Sequence, residues 1–109
     1  MKLMKVTAWN NGARRPTGAG YGLKIQVEDR DRYFQESWSS VFVSLPGIAQ
    51  EIEINIGKSS FWNDTCHELI SQKIGSWLLN NGYAPWPSGK PPKFILTPAH
   101  TNHFELQEA

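Results

Sequence analysis

Ile52, Ile54 and Ile56 alternate with Glu51, Glu53 and Asn55. That period of two fits a strand with one buried and one wet face, and it does not fit a helix. Val41, Val43 and Leu45 repeat the pattern and end at Pro46-Gly47, a turn signal. Leu23, Ile25 and Val27 alternate with Lys24, Gln26 and Glu28, which predicts a third half-buried strand. A shorter mixed segment, Leu3 to Trp9, reads as a strand that stops at the turn residues Asn10-Asn11-Gly12. Phe94-Ile95-Leu96 and Phe104-Glu105-Leu106 read as a closing hairpin around residues 98–102.

Between these strands the period changes. Trp62, Cys66, Leu69, Ile70, Ile74 and Trp77 recur at helical spacing, with Leu78 at the margin. Ser59 or Ser60 can cap the start, and Asn80-Asn81-Gly82 supplies a left-handed stop. The spacing therefore predicts one amphipathic helix from about Phe61 to about Asn80. Gly75 inside it costs roughly 1 kcal/mol of helix propensity. A small residue there admits a close backbone, from the Pro-rich loop or from a second subunit in a homodimer. Lys73 falls within the apolar stripe, where its stem can snorkel to water.

The order is then ββββαββ. Short connections favour antiparallel neighbours. The expected fold is α+β: a twisted or partly closed antiparallel sheet of five or six strands packed on one long helix, with a closed barrel plugged by the helix as the other architecture. A chain of 109 residues fits one domain, residues 1–109, with no repeat or linker to split it. Its 39% apolar content and five tryptophans exclude a disordered chain and point to large rings as core filling.

Net charge is only +1, so attraction to nucleic acid has to come from a local patch. The single Cys66 excludes an internal disulfide and a four-cysteine zinc site, and fits a reducing, cytoplasmic setting. The start, Met-Lys-Leu-Met-Lys, lacks the apolar stretch of a secretion signal, and no run approaches the ~20 apolar residues of a spanning helix. No membrane partner is expected.

Three loops carry basic residues. Gly57-Lys58-Ser59 sits between strand and helix, but the glycine a phosphate loop needs five residues earlier is Ile52, so no nucleotide cradle is expected. What remains is a helix N-terminus with free N–H groups at Ser59 and Ser60, beside Lys58, able to hold an anion. The Gly-rich loop to Gly20 brings Arg14 and Arg15, and the Pro-rich segment brings Lys90 and Lys93 near Trp86. Gly18-Ala19-Gly20-Tyr21-Gly22 opens a strand, so it is not a dinucleotide fingerprint. Basic side chains interleaved with aromatic ones are the parts of a single-strand surface. Arg14, Arg15, Lys58, Ser59, Ser60, Lys90 and Lys93, with Trp9 and Trp86 as stacking platforms, form the candidate set, if the loops converge. Each has an ordinary alternative, above all Trp86 as a core plug.

Catalytic and metal chemistry find less support. Asp64, Cys66, His67 and Glu68 cluster in the first turns of the expected helix, but at no zinc spacing. His100 and His103 make an incomplete pair. Asp29 and Asp31 interleave with Arg30 and Arg32 as a solvated connection, and Glu51 and Glu53 are the wet face of a strand. No nucleophile–base–orienter set and no complete metal-ligand set can be assembled. The sequence thus points to a small binding module without a cofactor, for nucleic acid or a phosphorylated ligand. The other readings are a protein-interaction or structural subunit, and a small hydrolase or nuclease using Asp64, His67 and the loop arginines Arg14 and Arg15.

Overall fold

The structure is a computed structural model that describes residues 3–13, 15–63 and 67–109. In chain order its elements are β1 (Met4–Asn10), β2 (Tyr21–Lys24), α1 (Val27–Tyr33), β3 (Ser40–Ser44), β4 (Ile52–Asn55), α2 (Ser59–Trp62), β5 (Glu68–Ile70), α3 (Gln72–Asn80), β6 (Lys93–His100) and β7 (His103–Glu108). Among the described residues seven strands form one sheet in the order β4-β3-β7-β6-β1-β2-β5. The edge strands β4 and β5 approach each other without a ladder, so the sheet is nearly closed. The class is α+β. The pairing is antiparallel except between β3 and β7, which run parallel with Phe42 opposite His103.

Period two sets the inside of this barrel. Met4, Val6 and Ala8 of β1, Val41 and Val43 of β3, Ile52 and Ile54 of β4, Phe94 and Leu96 of β6, and Phe104 and Leu106 of β7 are all buried. The strand directions give the barrel two ends, each closed by aromatic rings. At one end, the lower, where β3 and β7 start, Phe34 stacks on Phe104 at 4.7 Å, and Phe61 and Trp38 pack around them. At the other, the upper, where β1 stops and β6 begins, α3 brings Trp77 against Tyr83 at 5.4 Å and Phe94 at 5.5 Å. The Trp77 indole N–H donates to the Pro46 carbonyl oxygen at 2.9 Å, tying α3 to the β3–β4 turn.

The single long helix is not what forms, and the order is ββαββαβαββ rather than ββββαββ. α2 ends at Trp62, with Asn63 extended at its C-cap. Glu68–Ile70 then pairs with β2, Leu69 opposite Leu23, and only afterwards does α3 start. Leu69 and Ile70 satisfy a helical stripe and a strand equally well, and the free edge of β2 decides between them. The strand puts Leu69 inside and leaves Ile70 36% exposed, while Trp62 is only half-buried, its N–H on the Ile56 carbonyl. Neither Ser59 nor Ser60 is the cap of α2. Lys58 holds that position without a side-chain bond, and Ser71 caps α3 by accepting from the Lys73 N–H at 3.1 Å. The stop at Asn80 falls where Asn81-Gly82 predicts it, with Gly82 at φ +78°.

Residues 27–33 also differ from expectation. The alternation that starts at Leu23 ends at Ile25, and α1 follows, with Glu28 and Asp29 in its first turn and Arg30 and Arg32 in its last. That arrangement complements the helix dipole. Arg30 is not solvated. It is 4% exposed, donates to the carbonyls of Phe61 at 2.9 Å and Asn63 at 2.7 Å, and lies over the Trp62 ring. One buried guanidinium therefore binds α1 to α2 across the lower end of the barrel.

Candidate nucleic-acid interface

The register of the central strands gathers basic side chains on the outside of the sheet. Inward residues on β1 are Met4, Val6 and Ala8, so Lys5, Thr7 and Trp9 point outward. Thr7 is opposite Lys93 of β6 on one side and Lys24 of β2 on the other. Directly opposed residues share a face, so Lys93, Thr7 and Lys24 form one cross-strand row, the lysines about 10 Å apart. Lys5 is opposite Ile95, one step along the same face. Trp9 lies about 7 Å along β1 from Thr7, opposite Gly22. All three lysines are exposed, and Trp9 is partly so. The outward positions of β1, β2 and β6 carry no carboxylate. Glu68 of β5, opposite Lys24, is buried.

Trp9 stands apart from the other large rings. Trp62 and Trp77 bond their indole N–H groups to carbonyls, and Trp38 and Trp86 pack against the core. Trp86 meets Tyr21 edge-on at 5.8 Å, the packing of a plug at the barrel's upper end. The Trp9 indole N–H meets no acceptor among the described residues, and its ring is outside the core cluster.

The expected loop residues divide between the two ends of the barrel. Arg15, Lys90 and Lys93 belong to the upper end, where Trp9 and Trp86 also lie, and Arg15 and Lys90 are exposed. Arg14 lies outside the described residues. Lys58, Ser59 and Ser60 follow β4 and belong to the lower end, where Asn55 is opposite Ser40. The three loops therefore do not share one end. At four residues, α2 is also too short to offer the anion site expected of a long helix. Sequence reasoning passed over Lys5 and Lys24. Their signal is the same period of two that found the core, read for its wet face.

The Gly-rich loop is held down. Gly18 presses on α3 so closely that a Cβ on Gly75 would lie 2.0 Å from the Gly18 carbonyl oxygen. The close approach expected at Gly75 exists, but it is made by this Gly-rich loop and not by the Pro-rich loop or a second subunit, the partners the sequence suggested. Gly18 itself has φ +96°, and the Gly18 N–H donates to the Arg15 carbonyl at 3.0 Å.

The other chemistry-bearing groups have plain partners. The His67 ring nitrogen meets the Ile25 carbonyl oxygen, and the Ile25 backbone N–H donates to the His67 carbonyl oxygen. Asp64 and Cys66 lie outside the described residues. Among those described, no cluster of His, Cys, Asp and Glu could hold a metal. A cleft of about 320 Å³ runs between the β3–β4 turn and α3, lined by Ile48, Ile52, Lys73, Trp77 and Asn81 among others, without a convergent set of catalytic groups. No helix among the described residues is long and apolar enough to cross a membrane. Compared with family models, curated proteins and solved structures, the chain has no significant match in any of the three.

Proposed function

We propose that this protein is a small binding module for single-stranded nucleic acid, which lies across the outside of β6, β1 and β2. The observation that carries this reading is the Lys93–Thr7–Lys24 row with Lys5 and Trp9 on the same face. Phosphates are neutralised by exposed ammonium groups, and a base stacks on the indole that lacks a core partner. Thr7, between the two lysines, offers a hydroxyl to a phosphate or sugar oxygen. Duplex is the weaker ligand, because its bases are not free to meet Trp9. Arg15 and Lys90 extend the positive surface from the upper end. The departure from the loop-based expectation is that the site centres on the sheet.

A labelled single-stranded oligonucleotide, titrated at several salt concentrations, tests the proposal. Three lysine contacts give a slope of log K against log salt of about −2. Lys5→Gln, Lys24→Gln and Lys93→Gln together flatten that slope and leave the melting temperature nearly unchanged, since exposed charges add little stability. Undetectable binding at low salt, or equal binding by the triple variant, removes the proposal.

A further inference from the structure

The outside of the barrel has a second half with the opposite charge. On β3, β4 and β7 the outward positions are Ser40, Phe42 and Ser44, Glu53 and Asn55, and His103, Glu105 and Gln107, with Glu51 just before β4. No lysine or arginine stands among them. Phe42 of β3 stacks on His103 of β7 at 4.8 Å, and His103 stacks on His100 at 4.4 Å, so a flat ring strip runs from β3 over β7 to the last residue of β6, the border of this half. Glu51 borders this strip through its contact with His103 at 2.8 Å, Glu53 is opposite Phe42, and Glu105 follows two positions after His103. The other half presents Lys5, Lys24 and Lys93 around Trp9 and Ile95. Each half thus joins an aromatic or aliphatic centre to charges of one sign. Because the sheet is nearly closed, the halves look in different directions around the barrel.

We infer that the β3–β4–β7 exterior docks on the β6–β1–β2 exterior of a second copy of this chain. A contact of this kind joins two different patches, so each docked pair leaves one acidic and one basic half free, one on each copy. Association is therefore head to tail, adding copies until the rotation between them closes a ring or without limit where it does not close. Both surfaces are the outsides of barrels, so the buried area is small and the contact is weak and salt-sensitive. Opposed charges steer the pairing, whereas like halves repel.

The test uses mass alone, without nucleic acid, so that its outcome is separate from that of the oligonucleotide titration. Sedimentation or light scattering of the whole chain at about 0.01 M salt, where the Debye length is ~30 Å, gives a mass that rises with concentration beyond that of one copy. At about 0.15 M salt, where screening shortens that length to ~8 Å, the rise is much reduced. One variant with Glu51→Gln, Glu53→Gln and Glu105→Gln, and another with Lys5→Gln, Lys24→Gln and Lys93→Gln, each stay at the mass of one copy. Mixed in equal amounts they reach the mass of two copies and no more, because each supplies only one half. Unchanged melting curves show that both variants are folded. A wild type that remains one copy at low salt and high concentration overturns the inference. So does self-association of either variant alone, or a mixture that grows beyond two copies or stays at one.

Discussion

At the scale of single residues, the tryptophans divide the molecule's labour. Trp77 is 2% exposed and packs on two rings, so Trp77→Ala is expected to cost about 3–5 kcal/mol and lower the melting temperature steeply. Trp9→Ala is expected to melt nearly as the wild type does, yet to lose about 1–3 kcal/mol of oligonucleotide affinity. If Trp9→Ala unfolds the protein instead, Trp9 is a structural ring and the stacking role fails. Gly75→Ala offers a sharper test of packing. Alanine is the better helix former by roughly 1 kcal/mol. However, its Cβ would meet the Gly18 carbonyl oxygen at 2.0 Å. The expected net result is a loss of about 2 kcal/mol or more, and a variant as stable as the wild type would show that the loop yields freely. Tyr83 carries a pH signature. Its phenol bonds the Glu108 carboxylate, which raises its pKa above the ordinary 10.0, with burial adding in the same direction. A raised acid pKa favours the neutral form in the folded chain. The associated stability is complete below the unfolded value and is lost as pH rises through the folded one. Glu108→Gln should bring the phenolate absorbance transition back toward 10, and a transition that does not move would assign the shift to burial alone.

At the scale of elements, what could be read from sequence is what depends on local periodicity. β3, β4 and the β6–β7 hairpin lie close to where alternation and turn residues place them. The segment between residues 61 and 80 misleads because Leu69 and Ile70 fit both periods. Their strand exists only because β2 has an edge to fill, and a pairing with a distant strand leaves no local mark. α1 leaves a faint one, in acidic residues before basic ones. Arg30 shows the limit of composition: a residue inside a charged run becomes a buried clamp because the carbonyls of Phe61 and Asn63 need a donor. Arg30→Lys keeps the charge but loses the fork, and is expected to cost about 2–3 kcal/mol. A change below ~0.5 kcal/mol in chemical denaturation would mean that water replaces the guanidinium without loss. The candidate site was half legible. Trp9 and Lys93 stand out by residue type, but their placement beside Lys5 and Lys24 rests on register across three strands, which periodicity within one strand cannot supply.

At the scale of the whole molecule, the connectivity is as informative as the charge. β6 and β7, close to the C-terminal end of this sequence, occupy the middle of the sheet, with β3 and β4 on one side and β1, β2 and β5 on the other. Met4 is opposite Leu96 and Phe42 is opposite His103, pairs that lie roughly ninety and sixty residues apart in sequence. Such long closures make folding slow for the size of the domain. They also impose an order of events during synthesis. Before residues 93–108 leave the ribosome, the two flanks have no strand in common, and their apolar edges wait uncovered. The barrel therefore closes late and nearly all at once. A chain cut after Lys90 is expected to give no cooperative melt, and added 93–109 peptide should restore one. In a cell, the interval before that last hairpin emerges is when a chaperone would have most to hold, and when a stalled ribosome would expose the most adhesive form of the chain.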